Sequence, residues 1–260
     1  GAIEDQDNET VALNCYRPSV AKSAEPSHVV TYTWELTKTA NVSEVHVFEG
    51  AGEVVTYTIA AARDSGTPGS WAVSGLVTVT NPHPTAAIPV SALSDSLSGI
   101  GAVMLNCGVA SVVPANGSLT CSYTRALPDG ASRVNEAKVE LYGRTYTGTA
   151  GFDFVFGAAE KINETLKVTD TYATIPDFSI SGTRAYTRTL VCADEFGEGE
   201  YGNDGSVSKD IKNLAVGRGN DTGAIEDQDN ETVALNCYRP VVTKTANGSY
   251  GTTYDWAIKK

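Results

Sequence analysis

The stretch GAIEDQDNETVALNCYRP stands at Gly1–Pro18 and again, letter for letter, at Gly223–Pro240. Beyond it the likeness loosens but keeps its register. Val20, Lys22, Ala24, Ser27, Thr31, Tyr32, Trp34 and Lys38 recur as Val242, Lys244, Ala246, Ser249, Thr253, Tyr254, Trp256 and Lys260, all at one constant offset. A constant offset of domain length marks tandem repetition of a whole folding unit. The sequence therefore predicts one full period followed by the opening of the next, cut from a longer series. Within the duplicated stretch, Val233, Leu235 and Cys237 fall on every second position, so the repeat contains a strand with one apolar face.

The same alternation fills the rest of the chain. Val30, Tyr32, Trp34 and Leu36 share one side of a segment whose other side is Thr31, Thr33, Glu35 and Thr37. Val73, Val77 and Val79 repeat the pattern, as do Ala137, Val139 and Leu141, and then Phe152, Phe154 and Phe156. No window holds an apolar rhythm of 3.6 residues over three turns, and only Ala86–Ser98 has room for a helical turn. Strands are expected at Val29–Thr39, Glu53–Ala61, Ala72–Thr80, Ile88–Leu93, Val103–Cys107, Ser118–Leu127, Asn135–Tyr142 and Gly151–Phe156. A smaller set follows at Glu164–Tyr172, Ala185–Ala193, Ser206–Val216 and Asn230–Cys237, with Gly217–Asp229 as a loop before its last member. The predicted fold is all-β: two immunoglobulin-like antiparallel sandwiches per repeat, plus the first strand of the next repeat. The expected boundaries are 1–18 for a terminal strand belonging to the preceding unit, 19–158 for a large sandwich, 159–240 for a small one, and 241–260 for that first strand. Alone, residues 241–260 have no sheet, so they are expected to be disordered or paired with the edge of a neighbouring copy of the same repeat or chain.

Lys and Arg number 19 against 31 Asp and Glu in 260 residues, a net charge of −12. That balance repels phosphate backbones and anionic lipid, so nucleic acid is excluded as a partner. No apolar run approaches the ~20 residues of a spanning helix, so membrane insertion is not expected. Five cysteines are an odd number, and the repeat accounts for it. Cys107 and Cys121 sit on inward faces either side of a turn, and Cys192 ends a strand with Cys237 downstream. The expected bridges are Cys107–Cys121 and Cys192–Cys237, in an oxidising, extracellular setting. Cys15, the copy of Cys237, would then have its partner in the preceding unit and remain single here.

Several short motifs carry a resemblance. They are Val242-x-Lys244-Thr245-Ala246 with Thr253-Tyr254-x-Trp256-x-Ile258-x-Lys260, Ser74-Gly75-x-Val77-x-Val79-x-Asn81-Pro82, Ser118-Leu119-Thr120-Cys121-x-Tyr123, and Tyr186-Thr187-Arg188-Thr189-Leu190-x-Cys192. In this order they resemble the tandem immunoglobulin-like repeats of large secreted bacterial surface proteins. The resemblance implies a sandwich fold, a cell-surface location and a structural role in a fibre, filament or adhesin stalk. It transfers no catalytic residues, and the chain is not expected to be an enzyme. Two other roles are compatible with the sequence: an adhesin module whose loops grip a surface glycan or protein, and an accessory domain of a polysaccharide-degrading enzyme.

The remaining chemistry is sparse. Asn-x-Ser/Thr acceptor sites stand at Asn8, Asn41, Asn116, Asn163, Asn220, Asn230 and Asn247, each usable only on an exposed segment of a secreted protein. Asp5-x-Asp7-x-Glu9 and its copy Asp227-x-Asp229-x-Glu231 resemble the front of a calcium loop but lack its turn glycine and closing glutamate. The acidic run Asp194–Glu200, with Asp204, is a second place where calcium would relieve repulsion. No cofactor is expected otherwise. His28, His46 and His83 share no metal-ligand spacing. Tyr32, Trp34 and Trp71 read as core rather than as a sugar platform. An internal Lys–Asn amide bond would need a lysine and an asparagine on adjacent buried strands beside a carboxylate, and Lys22 and Lys38 are the formal candidates.

Overall fold

The structure, a computed structural model, describes residues 7–109, 111–155 and 158–260. It is all-β, built from antiparallel sheets with two short parallel pairings. Two compact units divide the chain. The first gathers the described residues of Gly1–Thr33, Arg63–Glu164 and Asn220–Thr222; the second comprises Trp34–Ala62, Thr165–Gly219 and Gly223–Lys260. The division is interleaved and differs from the contiguous boundaries 19–158 and 159–240. Its cause lies within the strand expected over Val29–Thr39. That strand stops at Thr31 and restarts at Trp34. Between them, the Thr33 amide and hydroxyl both donate to the Asp64 carboxylate at 3.1 Å, taking the backbone off its ladder. The apolar alternation runs on unbroken across this point, so periodicity gives no sign of it.

In the first unit, β1 (Ser19–Lys22) and β2 (Glu25–Thr31) lie in succession along one edge of β6 (Thr67–Asn81), and β11 (Gly117–Ala126) pairs with its other edge. The chain kinks at Ser23 between β1 and β2, and Gly75 receives the kink. A Cβ on Gly75 would stand 2.2 Å from the Ser23 carbonyl oxygen, so only glycine fits. The other main sheet runs β13 (Arg144–Phe152), β12 (Arg133–Leu141), β8 (Ala92–Leu97), β9 (Gly101–Val103). A two-residue hairpin at Tyr142-Gly143, both at positive φ, joins β12 to β13. This turn starts β13 at Arg144, earlier than the strand expected over Gly151–Phe156; Phe154 lies beyond it in an irregular segment, edge-on to Trp71 at 4.8 Å. Phe156 lies outside the described residues. The segment Ala86–Ser98 holds strands β7 (Ile88–Pro89) and β8 rather than a helical turn. Val77, Val79, Leu119, Val139 and Leu141 fill one part of the core, and Val73, Leu97, Tyr123 and Phe152 the other.

In the second unit, β3 (Trp34–Ala40), β5 (Gly52–Arg63) and β16 (Gly182–Val191) form a three-stranded sheet. Opposite lies a four-stranded sheet in the order β15 (Leu166–Asp170), β17 (Ser206–Gly219), β18 (Ile225–Tyr238), β4 (Glu44–Phe48). Four strands facing three is the strand count of a constant-type immunoglobulin sandwich. The duplicated stretch is β18. It sits inside the sheet, antiparallel to β17 and parallel to β4. It begins at Ile225, so part of the expected Gly217–Asp229 loop is strand. Val233 and Leu235 are 0% exposed there, packed with Val45, Val47, Val55 and Tyr57, whereas their copies Val11 and Leu13 are 87% and 86% exposed. Residues 241–260 follow without a strand of their own.

Candidate functional site

Each unit buries one lysine among polar side chains, and the two sites share a plan. In the first unit Lys22, on β1, reaches the facing sheet. Its Nζ lies 2.8 Å from Asp95 Oδ1 on β8, and both side chains are fully enclosed. Asn135 Nδ2, on β12, donates to the other oxygen, Asp95 Oδ2, at 3.3 Å. The Tyr123 ring lies under the ammonium, 4.0 Å from its centroid. In the second unit Lys38, on β3, again reaches the facing sheet. Its Nζ donates to Asp170 Oδ2 on β15 and, at 2.7 Å, to Asn213 Oδ1 on β17. The Tyr186 hydroxyl donates to Asp170 Oδ1 at 2.8 Å and accepts from Asn213 Nδ2 at 2.6 Å.

The strand registers explain why the groups converge. Asp95 pairs with Ala137, and Asp170 with Ala215. In each case the asparagine stands two residues before that alanine, at Asn135 and Asn213, and so on the same inward face at the diagonal position. The alanines are both fully buried, and their small side chains take little of the space between the sheets. Each lysine is also on an inward position of its own strand, Lys38 continuing the row Trp34, Leu36.

Burial dominates the electrostatics. Desolvation lowers the pKa of Lys22, opposed by the Asp95 carboxylate beside it. The same is true of Lys38, where Asp170, Asp229 and Glu231 oppose the loss of hydration. Burial likewise raises the hydroxyl pKa of Tyr123 and Tyr186. The first site is also incompletely satisfied. Lys22 Nζ, Asp95 Oδ1 and Asn135 Oδ1 are buried without an aligned hydrogen bond, so the 2.8 Å approach is a contact of charges only. An enclosed ion pair with unmet valences is costly and invites neutralisation. Chemically, each cluster offers an amine nucleophile, a carboxamide and one carboxyl between them.

The lysines stand among the sequence-level candidates, but Asp95, Asn135, Asp170 and Asn213 do not. The signal available was a polar residue on an apolar face: Asn135-x-Ala137 and Asn213-x-Ala215 both break their inward rows.

The other candidates fall elsewhere. Cys107 is bonded to Cys121 and Cys192 to Cys237, while Cys15 is free and exposed. Asn8, Asn41, Asn116, Asn220, Asn230 and Asn247 are exposed. Asn163 is not: it is 4% exposed, and its Oδ1 accepts from the Thr222 amide and hydroxyl at 3.2 Å, so this acceptor site is closed by folding. The sketch of a calcium loop at Asp227 and Asp229 is strand. Their carboxylates accept from the backbone amides of Leu36 and Lys38, at 2.8 and 2.7 Å, tying β18 to β3. Asp5 of the first copy lies outside the described residues. In the acidic run, Glu195 is met by Arg188 and Lys209 at 2.8 and 2.9 Å rather than left for a cation. Among the described residues no group of acidic, His or Cys side chains is placed to hold a metal ion. His28 is buried flat against Trp71, His46 bonds the Tyr238 hydroxyl, and His83 Nδ1 accepts from the Thr85 and Ala86 amides. Tyr32 and Trp34 are core, and Trp71 is half-buried. No helix among the described residues is long and apolar enough to cross a membrane. No protein-family model matches the chain, and comparison with curated proteins returns no match.

Proposed function

We propose that this chain is a structural module of a serial extracellular fibre, filament or stalk, in which each period closes the one before it. The observation that carries this reading is the place of the duplicated stretch. As β18 it supplies an inner strand, a buried apolar face and one half of a disulfide to the second unit. The identical Gly1–Pro18 has the composition to do the same for a preceding unit, and Val11 and Leu13 within it stand exposed. The residues following β18 continue the theme: Trp256, copy of the buried Trp34, is 91% exposed. Units joined in this way overlap by a strand, so no flexible linker separates them and length grows with copy number. Two disulfides support an oxidising compartment. The role is mechanical: the polar side chains that converge in the core are enclosed and open to no substrate.

Electron microscopy of the native material tests the proposal. Beaded, unbranched fibres are the expected morphology. Discrete globular particles carrying the intact parent protein would refute it.

A further inference from the structure

The two lysine clusters hold what an amide exchange needs. A buried amine and a carboxamide are held together by strand register, with a carboxyl in contact with the amine. We propose that Lys22 and Lys38 become covalently joined to Asn135 and Asn213 through intrachain amide bonds, with Asp95 and Asp170 as the catalytic carboxylates.

The step balances without an outside reagent. The Lys22 ammonium gives one proton to Asp95 Oδ1. The freed lone pair attacks Asn135 Cγ, forming the Nζ–Cγ bond. The Cγ–Nδ2 bond then breaks. A second proton leaves Nζ, and the departing nitrogen collects both, the carboxyl returning to its starting state. The net change is ammonium plus carboxamide giving a secondary amide and an ammonium ion. Asp95 is placed for the relay, with one oxygen at the amine and the other at Asn135 Nδ2. At Lys38 the relay runs through a hydroxyl: Asp170 Oδ2 touches the amine, and Tyr186 links Asp170 Oδ1 to Asn213 Nδ2.

Lys38 Nζ is already bonded to the Asn213 carboxamide oxygen, which brings the amine beside its carbon. Holding reactants in such a pose replaces a bimolecular encounter by an intramolecular one. Burial favours the neutral amine over the ammonium, which makes it nucleophilic. The product no longer holds a buried ammonium, and the new amide keeps an N–H for the carboxylate. The single carboxyl in each cluster decides the acyl donor. If the aspartate were acylated, no group would remain to carry protons, so the carboxamide is the one consumed. The architecture repeats in both units, and Lys244 and Lys260 continue the two lysine positions into the next period. Each bond ties a strand of one sheet to a strand of the sheet opposite.

Mass spectrometry of the full chain, made in a host without N-glycosylation and with its disulfides reduced, tests this. The expected mass is below that of the sequence by two ammonia molecules, with digestion yielding two branched peptides, Lys22–Asn135 and Lys38–Asn213. Asp95→Ala should restore one ammonia and remove the first branched peptide only, and Asp170→Ala the second only. If either variant fails to fold, the wild-type mass still decides. A mass equal to that of the sequence overturns the proposal. So does ammonia lost without a branched peptide, which would be asparagine cyclisation, or loss of water with a Lys–Asp link. The readout is internal to one chain, so it stands or falls independently of whether the material forms fibres.

Discussion

Leu13 and Leu235 have identical neighbours for several residues on either side, yet the structure gives them opposite environments. Leu235 is 0% exposed in the middle of β18, held between β17 and β4 and beside the Cys192–Cys237 bridge, while Leu13 is 86% exposed. Truncating a buried leucine to alanine costs about 2–5 kcal/mol, the larger values where the walls cannot collapse into the gap. The walls here are paired strands pinned by a disulfide, which places Leu235→Ala in the upper half, about 3–5 kcal/mol. Leu13→Ala should stay within about 0.5 kcal/mol of the parent. With a urea slope of about 2 kcal/mol/M, the first change moves the midpoint of the second unit by roughly 2 M and the second leaves it in place. Urea titration of the oxidised full chain, followed by the fluorescence of the buried Trp34, measures both. Equal losses, or a greater loss from Leu13→Ala, would show that the first copy fills the slot instead and would refute the assignment of β18.

The two disulfides should differ in weight. Replacing Cys192 and Cys237 by alanine opens a separation of 45 residues and should cost about 4 kcal/mol, against about 3 kcal/mol for the separation of 14 between Cys107 and Cys121; calorimetry of each pair of variants checks the order. Asp229→Ala removes the acceptor of the Lys38 amide and should cost about 1.5–3 kcal/mol in urea titration, while Asp7→Ala, its exposed copy, should cost nothing measurable. Glu195 is raised by partial burial but more strongly lowered by Lys209 and Arg188, so its folded pKa is below the ordinary one. Its stabilising contribution is therefore complete above the unfolded value of about 4.3 and is lost as pH falls through the folded one. Glu195→Gln should flatten the acid limb of a stability–pH curve, and an unchanged limb would remove the ion pairs from the account. In a host that glycosylates asparagine, peptide mapping should find Asn163 bare, because Thr222 and Asp221 hold it inside the fold.

The all-β class was legible because alternation and turn residues agree along most of the chain, and the duplicated stretch announced the strand that became β18. What the sequence concealed were events that leave alternation intact. The change of unit at Thr33 depends on one carboxylate, Asp64, thirty-odd positions away, and no local pattern encodes it. The Tyr142-Gly143 hairpin uses a positive φ at tyrosine, which turn statistics do not favour. Of the polar clusters, the lysines were visible as inward-row residues. Which aspartate and asparagine they meet was not, because pairing across a sandwich joins positions that share no spacing. Asn163 shows the converse: a motif fully legible in sequence is cancelled by burial.

The strand that completes the second unit lies downstream of everything else in it. During synthesis, then, a ribosome that has just released Gly219 has made a sandwich with an empty berth. The Cys192 thiol waits there with no mate until β18 emerges. In the series proposed above, the last sandwich needs a spare copy of GAIEDQDNETVALNCYRP or a chaperone to stand in for it.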